Sequence, residues 1–340
     1  MKIDAGLGVG GDFSGMERTA RAAEEIGFDG LWTSETKHDS FLPLALAASS
    51  TESMHLGNSV AIAFSRSPMV TAQLAWDLQS FSGGRFILGL GTQVRAHVER
   101  RFSMPFDRPA DRLADYIRAL RAIWDSFQNE GKLDYRGEFY QHTLMSPFFN
   151  PGPIDHPEIP VYIAGVNTRL CRVAGELCDG FHVHPFHSPE YVRNTVKPTI
   201  AEAARKAGRD PESVELATSA FVISGEDEYE AEGQREAIRS QLAFYASTPT
   251  YRTVLEAHGW EEVGDELSTL AREKRWDEMP SRITDEMISA FAVEAAPEEV
   301  GSALRERYEG LIDRVALYLP FEPGEKDEFW RSVTAAAANG

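Results

Sequence analysis

The stretch Arg85–Thr92, RFILGLGT, decides the fold. Gly83 and Gly84 open a strand that ends in Gly-Leu-Gly and leads toward a helix carrying Arg112 and Trp124. Glycines at the C-terminal end of a strand let the backbone approach a bound ring system, because no side chain intervenes.

Working outward from it, strand-like and helix-like segments alternate with short links, the pattern of parallel βα units. The N-terminal MKIDAGLGVGG reads as a first strand. Ser14 and Glu17 have capping-box spacing, Met16, Ala20 and Ala23 repeat at helical intervals, and Gly27 marks a helix stop. Gly30–Ser34 is the second strand, a helix starts near Phe41, and Leu56–Ile62 is the third strand. Ser67-Pro68 is an N-cap and first-turn pair, followed by Val70, Leu74, Leu78 and Phe81 on one expected buried face. RFILGLG is strand four, and Leu113, Ile117, Leu120, Trp124 and Phe127 give its helix a buried stripe.

KLDYRGEFYQH (132–142) reads as a hairpin turning at Arg136-Gly137, followed by a loop with five prolines from Pro147 to Pro160. This excursion, about 131–159, interrupts the repeat without ending it. Strands five to eight are Pro160–Ala164, Gly180–His184, about Val214–Ser224 and Arg314–Pro320, with a helix at Pro297–Tyr308 before the last. The acidic, helix-prone stretch of about 226–290 exceeds one crossover helix and reads as an insertion. Eight such units predict an α/β fold, a (β/α)8 TIM barrel with insertions, in a single domain over residues 1–340.

Composition narrows the function. No apolar run approaches the roughly 20 residues that span a bilayer, and the N-terminus lacks a signal-peptide pattern. Cys171 and Cys178 lie seven apart on one predicted helix, about 10 Å between Cα atoms, too far for a disulfide. The expected compartment is the reducing cytoplasm. With 53 acidic and 34 basic residues the net charge is −19, which repels a polyanion and argues against nucleic-acid binding.

Several motifs in fixed order, GFDGLWTSE (27–35), LGNSVAIAFSRSPMVTAQLAWDLQSFSGGRFILGLGT (56–92), VYIAG (161–165), AGELCDGF (174–181) and RVALYLPF (314–321), resemble the bacterial luciferase-like superfamily. The resemblance is closest to its deazaflavin-dependent oxidoreductases. It implies a barrel with coenzyme F-420 (8-hydroxy-5-deazaflavin), or alternatively FMN, at the C-terminal strand ends, usually in a homodimer. It also implies a non-prolyl cis peptide at Ser59-Val60, forming with Ala61 a bulge that backs the ring. In the same frame, Gly91, Thr92 and Gln93 contact the ring. Ala164, Gly165, Val166, Asn167, Thr168 and Arg169 place amides, a helix N-terminus and a guanidinium where a cofactor phosphate would sit.

Relatives often follow a serine and an acid at the end of strand two with a histidine. Here Ser34 and Glu35 are followed by Thr36, and His38 comes two residues later. His38, with Glu35 near it, is the candidate acid–base pair, because an imidazole titrates near neutrality. The glutamate that sugar-phosphate dehydrogenases of this family carry after the fourth strand is replaced by Gln93-Val94, so that sugar phosphate is not the expected substrate.

His182 and His184 share one side of strand six, with His184 at the rim of the cofactor or substrate pocket. A third metal ligand of recognisable spacing is missing, so no metal is expected. His187 is a weaker pocket candidate. Tyr245, Tyr251, Trp260 and Trp276 in the insertion are candidates for a lid over the mouth. Phe64, Phe102, Phe106, Phe148 and Phe149 are candidates for an apolar substrate wall.

The expected function is hydride transfer between coenzyme F-420 and a small organic substrate. The alternatives are an FMN-dependent monooxygenase served by a separate cofactor reductase, and a binding protein that has lost its cofactor site.

Overall fold

The computed structural model describes residues 1–7 and 13–338; the expected first strand reaches into 8–12, outside the described residues. β1 (Lys2–Gly6), β2 (Gly30–Thr33), β3 (His55–Asn58), β4 (Ala61–Ile62) and β5 (Phe86–Gly91) alternate with α1 (Met16–Ile26), α2 (Leu42–Ala48) and α3 (Pro68–Phe81). α4 (Arg95–Arg100), α5 (Pro109–Asn129) and the hairpin β6 (Tyr135–Arg136) and β7 (Gln141–His142) lead to β8 (Val161–Gly165), α6 (Thr168–Leu177) and β9 (Gly180–Val183). After α7 (Pro189–Tyr191) and α8 (Lys197–Lys206) comes β10 (Glu215–Ile223). α9 (Glu228–Ala246), α10 (Arg252–Glu256), α11 (Glu261–Arg272) and α12 (Asp285–Phe291) fill the insertion. The chain ends through β11 (Ala292–Glu294), α13 (Val300–Tyr308), β12 (Arg314–Leu317) and α14 (Asp327–Ala338).

The strand order β1-β2-β3-β5-β8-β9-β10-β12, all parallel, returns from β12 to β1. This is a closed (β/α)8 barrel. β2 and β5 are buried at every residue, as expected of strands with helices outside and a filled barrel inside.

The N-terminal end of the barrel is plugged by charge. Arg314, fully buried, donates to both carboxylate oxygens of Asp4 at 2.9 and 2.7 Å, and the Trp32 indole N–H donates to Asp4 at 2.8 Å. Gly30 leaves room for this pair, since a Cβ there would lie 2.6 Å from both partners. With that end filled, the cleft inside the barrel opens at the C-terminal strand ends.

Five local expectations change. α1 is capped at Gly15 without a side-chain cap bond, because Phe13–Gly15 forms a 3-10 turn that moves Ser14 out of the N-cap position. The expected third strand splits into β3 and β4 at Ser59-Val60. α4 stands between strand four and the long helix. The hairpin turns over residues 137–140, because the buried Asp115 carboxylate accepts the Phe139 and Tyr140 amides at 2.7 and 3.0 Å. α3 buries Thr71, Ala72, Ala75, Trp76, Leu78 and Gln79, while Val70 and Phe81 are 45% and 61% exposed. Small residues at 71, 72 and 75 make the closer-packing face, so the helix is turned to leave Val70 and Phe81 outward while Leu78 stays buried.

Candidate functional site

Ser59-Val60 is a cis, non-prolyl bond, as the resemblance implied, and the bulge it forms is pinned from both sides. The Ser59 amide donates to the Thr33 carbonyl at 2.7 Å and the Glu35 amide to the Val60 carbonyl at 3.3 Å. The bulge can lie against β5 because β5 carries glycines there. A Cβ at Gly89 would fall 1.7 Å from the Asn58 carbonyl oxygen, and one at Gly91 would fall 2.5 Å from Val60 Cγ2.

Inside the C-terminal mouth lies a cleft of about 470 Å³, lined by Trp32, Ser34, Thr36, Ser59, Val60, Ala164, His182, His184, Thr218, Ser219 and Tyr318, among others. Its floor is aromatic. The Trp32 indole lies where Gly57 has no side chain, and His182 meets it edge-on at 4.9 Å. His182 Nε2 is buried without a hydrogen-bond partner. Burial, reinforced by Arg314, holds its pKa down to about 3, so the ring is neutral.

On one wall, His184 packs between Tyr245 and Tyr251, with ring centres at 4.7 and 4.6 Å. The Tyr245 and Tyr318 hydroxyls hydrogen-bond at 2.8 Å, tying α9 to the segment after β12. His187 is buried behind this wall, at 2.9 Å from the His184 carbonyl and 3.1 Å from the Tyr308 hydroxyl.

Of the expected site residues, Ser34, Ser59, Val60, Ala164 and His184 line the cleft. Ala61 is buried behind the bulge and Gly91 beneath it; Thr92 and Gln93 leave β5 at the rim, with Gln93 in a left-handed conformation at φ 55°. His38 is exposed in a neighbouring hollow of about 660 Å³, edge-on to Phe13, and this hollow shares Leu7, Ser34, Thr36 and Pro320 with the cleft.

Glu35 does not accompany His38. It accepts the Ile62 amide at 2.6 Å and both Arg66 guanidinium arms at 2.9 and 2.8 Å. Burial would push the Arg66 guanidinium down, but Glu35 and Asp39 outweigh it and raise its pKa. Glu35 therefore braces the bulge.

Gly165, Val166, Asn167, Thr168 and Arg169 lie at the start of α6, beyond the cleft lining. The Asn167 side chain caps the Arg169 and Leu170 amides at 3.1 and 3.2 Å, which occupies two of the donors expected to be free. Arg169 points outward, 3.9 Å from Asp111.

The five phenylalanines do not form a substrate wall: none lines the cleft. Phe64 is buried against Phe106, whereas Phe148 and Phe149 are 88% and 67% exposed. Two lid aromatics, Tyr245 and Tyr251, reach the mouth through His184. Trp260 stacks on His258 at 4.4 Å instead, and Trp276 is exposed.

Sequence reasoning missed Trp32, Arg66 and Tyr318. Trp32 and Tyr318 lie inside quoted motifs at strand ends, which was a usable signal; the 31-residue separation of Glu35 and Arg66 gave none. Among the described residues, no group of three or more His, Cys, Asp or Glu could hold a metal, and no helix is long and apolar enough to cross a membrane. A larger hollow, about 680 Å³, lies between α9, the end of β10 and residues 324–329, and holds none of the expected site residues.

The cleft fits a flat ring system. Its volume lies in the small-ligand range of roughly 300–1,000 Å³, its floor is aromatic, and the orphaned His182 nitrogen lies in that floor.

The chain is similar to several known proteins. A family model described as luciferase-like monooxygenase matches residues 1–314. An uncharacterized protein of Mycobacterium tuberculosis is 45% identical over 296 residues, 87% of each chain. A 5,10-methylenetetrahydromethanopterin reductase of Archaeoglobus fulgidus is 27% identical over 320 residues, 92% of this chain and 91% of that protein. Among solved structures, the coenzyme F-420-dependent tetrahydromethanopterin reductase of Methanopyrus kandleri superposes with a TM-score of 0.78 at 22% identity, over 99% of this chain and 98% of the other.

Proposed function

This chain belongs to the luciferase-like monooxygenase family, and from that premise we propose that it is an oxidoreductase using coenzyme F-420 on a small organic substrate. The observation that carries the proposal is the cleft itself, with a braced bulge on one side, an aromatic floor and the His184 wall. A relative from Mycobacterium tuberculosis, 31% identical over 284 residues, is named a putative coenzyme F-420-dependent oxidoreductase, which favours a deazaflavin over FMN.

A bound 5-deazaflavin supplies hydride chemistry. The protein contributes binding, orientation and proton handling. Ser59 and Val60 would back one face of the ring, with Ala61, Gly91, Thr92 and Gln93 supporting them from the adjoining backbone. Ser34, Ala164 and His184 would border the ring. The start of α6, from Gly165 to Arg169, would hold the phosphate, with Arg169 exchanging its exposed contact to Asp111 for the anion.

The hollow beside the cleft would admit the substrate, because the two share Ser34 and Thr36 and because His38 lies in that hollow. There His38 exchanges the proton that accompanies the hydride. Glu35 acts through Arg66 and the Ile62 amide as a positioning residue.

Fluorescence titration of the purified protein with coenzyme F-420 and with FMN tests the cofactor. Saturable, preferential F-420 binding is expected; preferential FMN binding would transfer the site to flavin chemistry, and binding of neither would end the enzyme proposal. His38→Ala should lower turnover by about a hundredfold or more with cofactor affinity unchanged. Wild-type turnover in that variant removes His38 from the mechanism.

A further inference from the structure

The Phe186 amide donates to His184 Nδ1 at 3.0 Å. A main-chain N–H can only donate, so Nδ1 must present a lone pair, and the neutral ring then carries its proton on Nε2. Nε2 has no hydrogen-bond partner among the described residues and is not among the buried unpartnered atoms. His184 itself forms part of the cleft wall. Its neighbour takes the opposite tautomer: His187 donates from Nδ1 to the His184 carbonyl at 2.9 Å, leaving Nε2 to accept from the Tyr308 hydroxyl at 3.1 Å.

The surroundings fix the charge as well as the tautomer. The groups facing the His184 ring are Tyr245 from α9, Tyr251 from the turn before α10 and His187 from its own loop. The Tyr245 hydroxyl is bonded to Tyr318. Among the described residues, no carboxylate hydrogen-bonds to the imidazole and raises its proton affinity. Burial, followed by His187, holds the His184 pKa down to about 3.

We propose that His184 is a fixed, neutral hydrogen-bond donor whose Nε2–H recognises a carbonyl oxygen of the bound ring system. A donor whose tautomer is already fixed at the cleft wall stabilises negative charge on that oxygen without reorganising, and a neutral imidazole can polarise a carbonyl in this way without transferring its own proton. His184 thus differs in kind from His38, to which proton exchange is assigned. The inference rests on the proposal that the ring occupies this cleft.

Two measurements test it. Long-range 1H–15N correlation spectra of histidine-labelled protein without cofactor, with His184→Gln for assignment, should show a protonated Nε2 and an unprotonated Nδ1 throughout pH 5–8. A titration midpoint inside that range, or a proton on Nδ1, overturns the inference whether or not cofactor binds. In titrations with coenzyme F-420, His184→Gln retains an N–H donor and should bind within about threefold of wild type. His184→Phe should bind about tenfold more weakly, the loss of roughly one hydrogen bond, and its bound-cofactor absorbance band should be displaced from the wild-type position. Wild-type affinity and spectrum in His184→Phe would overturn this role alone, whereas failure of the wild-type protein to bind F-420 would overturn the parent proposal.

Discussion

Glu35 illustrates how a residue's type and its task can diverge. A carboxylate beside a histidine in sequence suggests proton transfer, yet both of its oxygens are committed to Arg66 and the Ile62 amide, and its own amide holds the Val60 carbonyl. Glu35 is only 8% exposed, so removing its charge leaves a poorly solvated guanidinium. Glu35→Gln is expected to cost about 3 kcal/mol of stability, read from urea unfolding, with a parallel loss of cofactor affinity as the bulge loosens. With Glu35 intact, Arg66→Lys should keep only part of that stability, because an ammonium cannot reproduce the two-armed contact. A Glu35→Gln protein with wild-type unfolding and cofactor binding but lost turnover would return Glu35 to the chemistry.

At the scale of elements, α3 carries two apolar faces, and only one is spent on the barrel. Thr71, Ala75 and Trp76 pack inward. Val70 and Phe81 remain exposed, and Val70 and Leu74 border a surface hollow with Phe148 and Phe149. Exposed apolar side chains grouped in this way mark a candidate interaction surface, and a homodimer, where one forms, is expected to use it. Val70→Asp combined with Phe148→Asp should shift a dimer to monomer in sedimentation velocity while leaving the far-ultraviolet circular dichroism unchanged. Dimers that survive both charges would move the interface elsewhere.

α3 also marks where sequence stopped being legible. Period and caps located the helix, including the Ser67 cap on the Val70 amide, but residues apolar on both sides leave its orientation undetermined. By contrast, the α5 stripe had one apolar face, and all five of its residues are buried. The strand ends of the candidate site were legible from glycines and motif order. β11 was not, because three residues after a helix carry too little pattern to announce a strand. The Glu35–Arg66 brace was not either, since no periodicity links residues 31 apart.

The molecule as a whole carries a pH liability at the same mouth that forms the site. His182, His184 and His187 have pKa values held at about 3, 3 and 4, chiefly by burial, against an ordinary 6.5. A depressed histidine favours the native state in its neutral form. Its contribution is therefore complete above 6.5 and is lost as pH falls from there toward the native values, because the unfolded chain takes up protons that the folded chain refuses. These three groups alone give the unfolded state at pH 5 nearly three extra protons, a slope of about 4 kcal/mol per pH unit, and His55 and His142, also lowered chiefly by burial, add to it in the same sense. Carboxylates held below their usual values enter lower. Glu24, whose bonds from the Ser53, Met54 and Glu52 amides outweigh its burial and hold it below its usual 4.5, withdraws its support only beneath that value. Across pH 6.5 to 5 the histidines set the sign, and Asp4 and Asp77, whose pKa values burial raises, act in the opposite sense. Urea unfolding midpoints should fall steeply across this interval, and calorimetry in two buffers should register proton uptake on unfolding. His182→Leu should remove about a third of the three rings' share of the slope. A midpoint independent of pH between 7 and 5 would show that these rings already titrate in the folded barrel, and it would remove the neutral imidazoles on which both the cleft floor and the His184 donor depend.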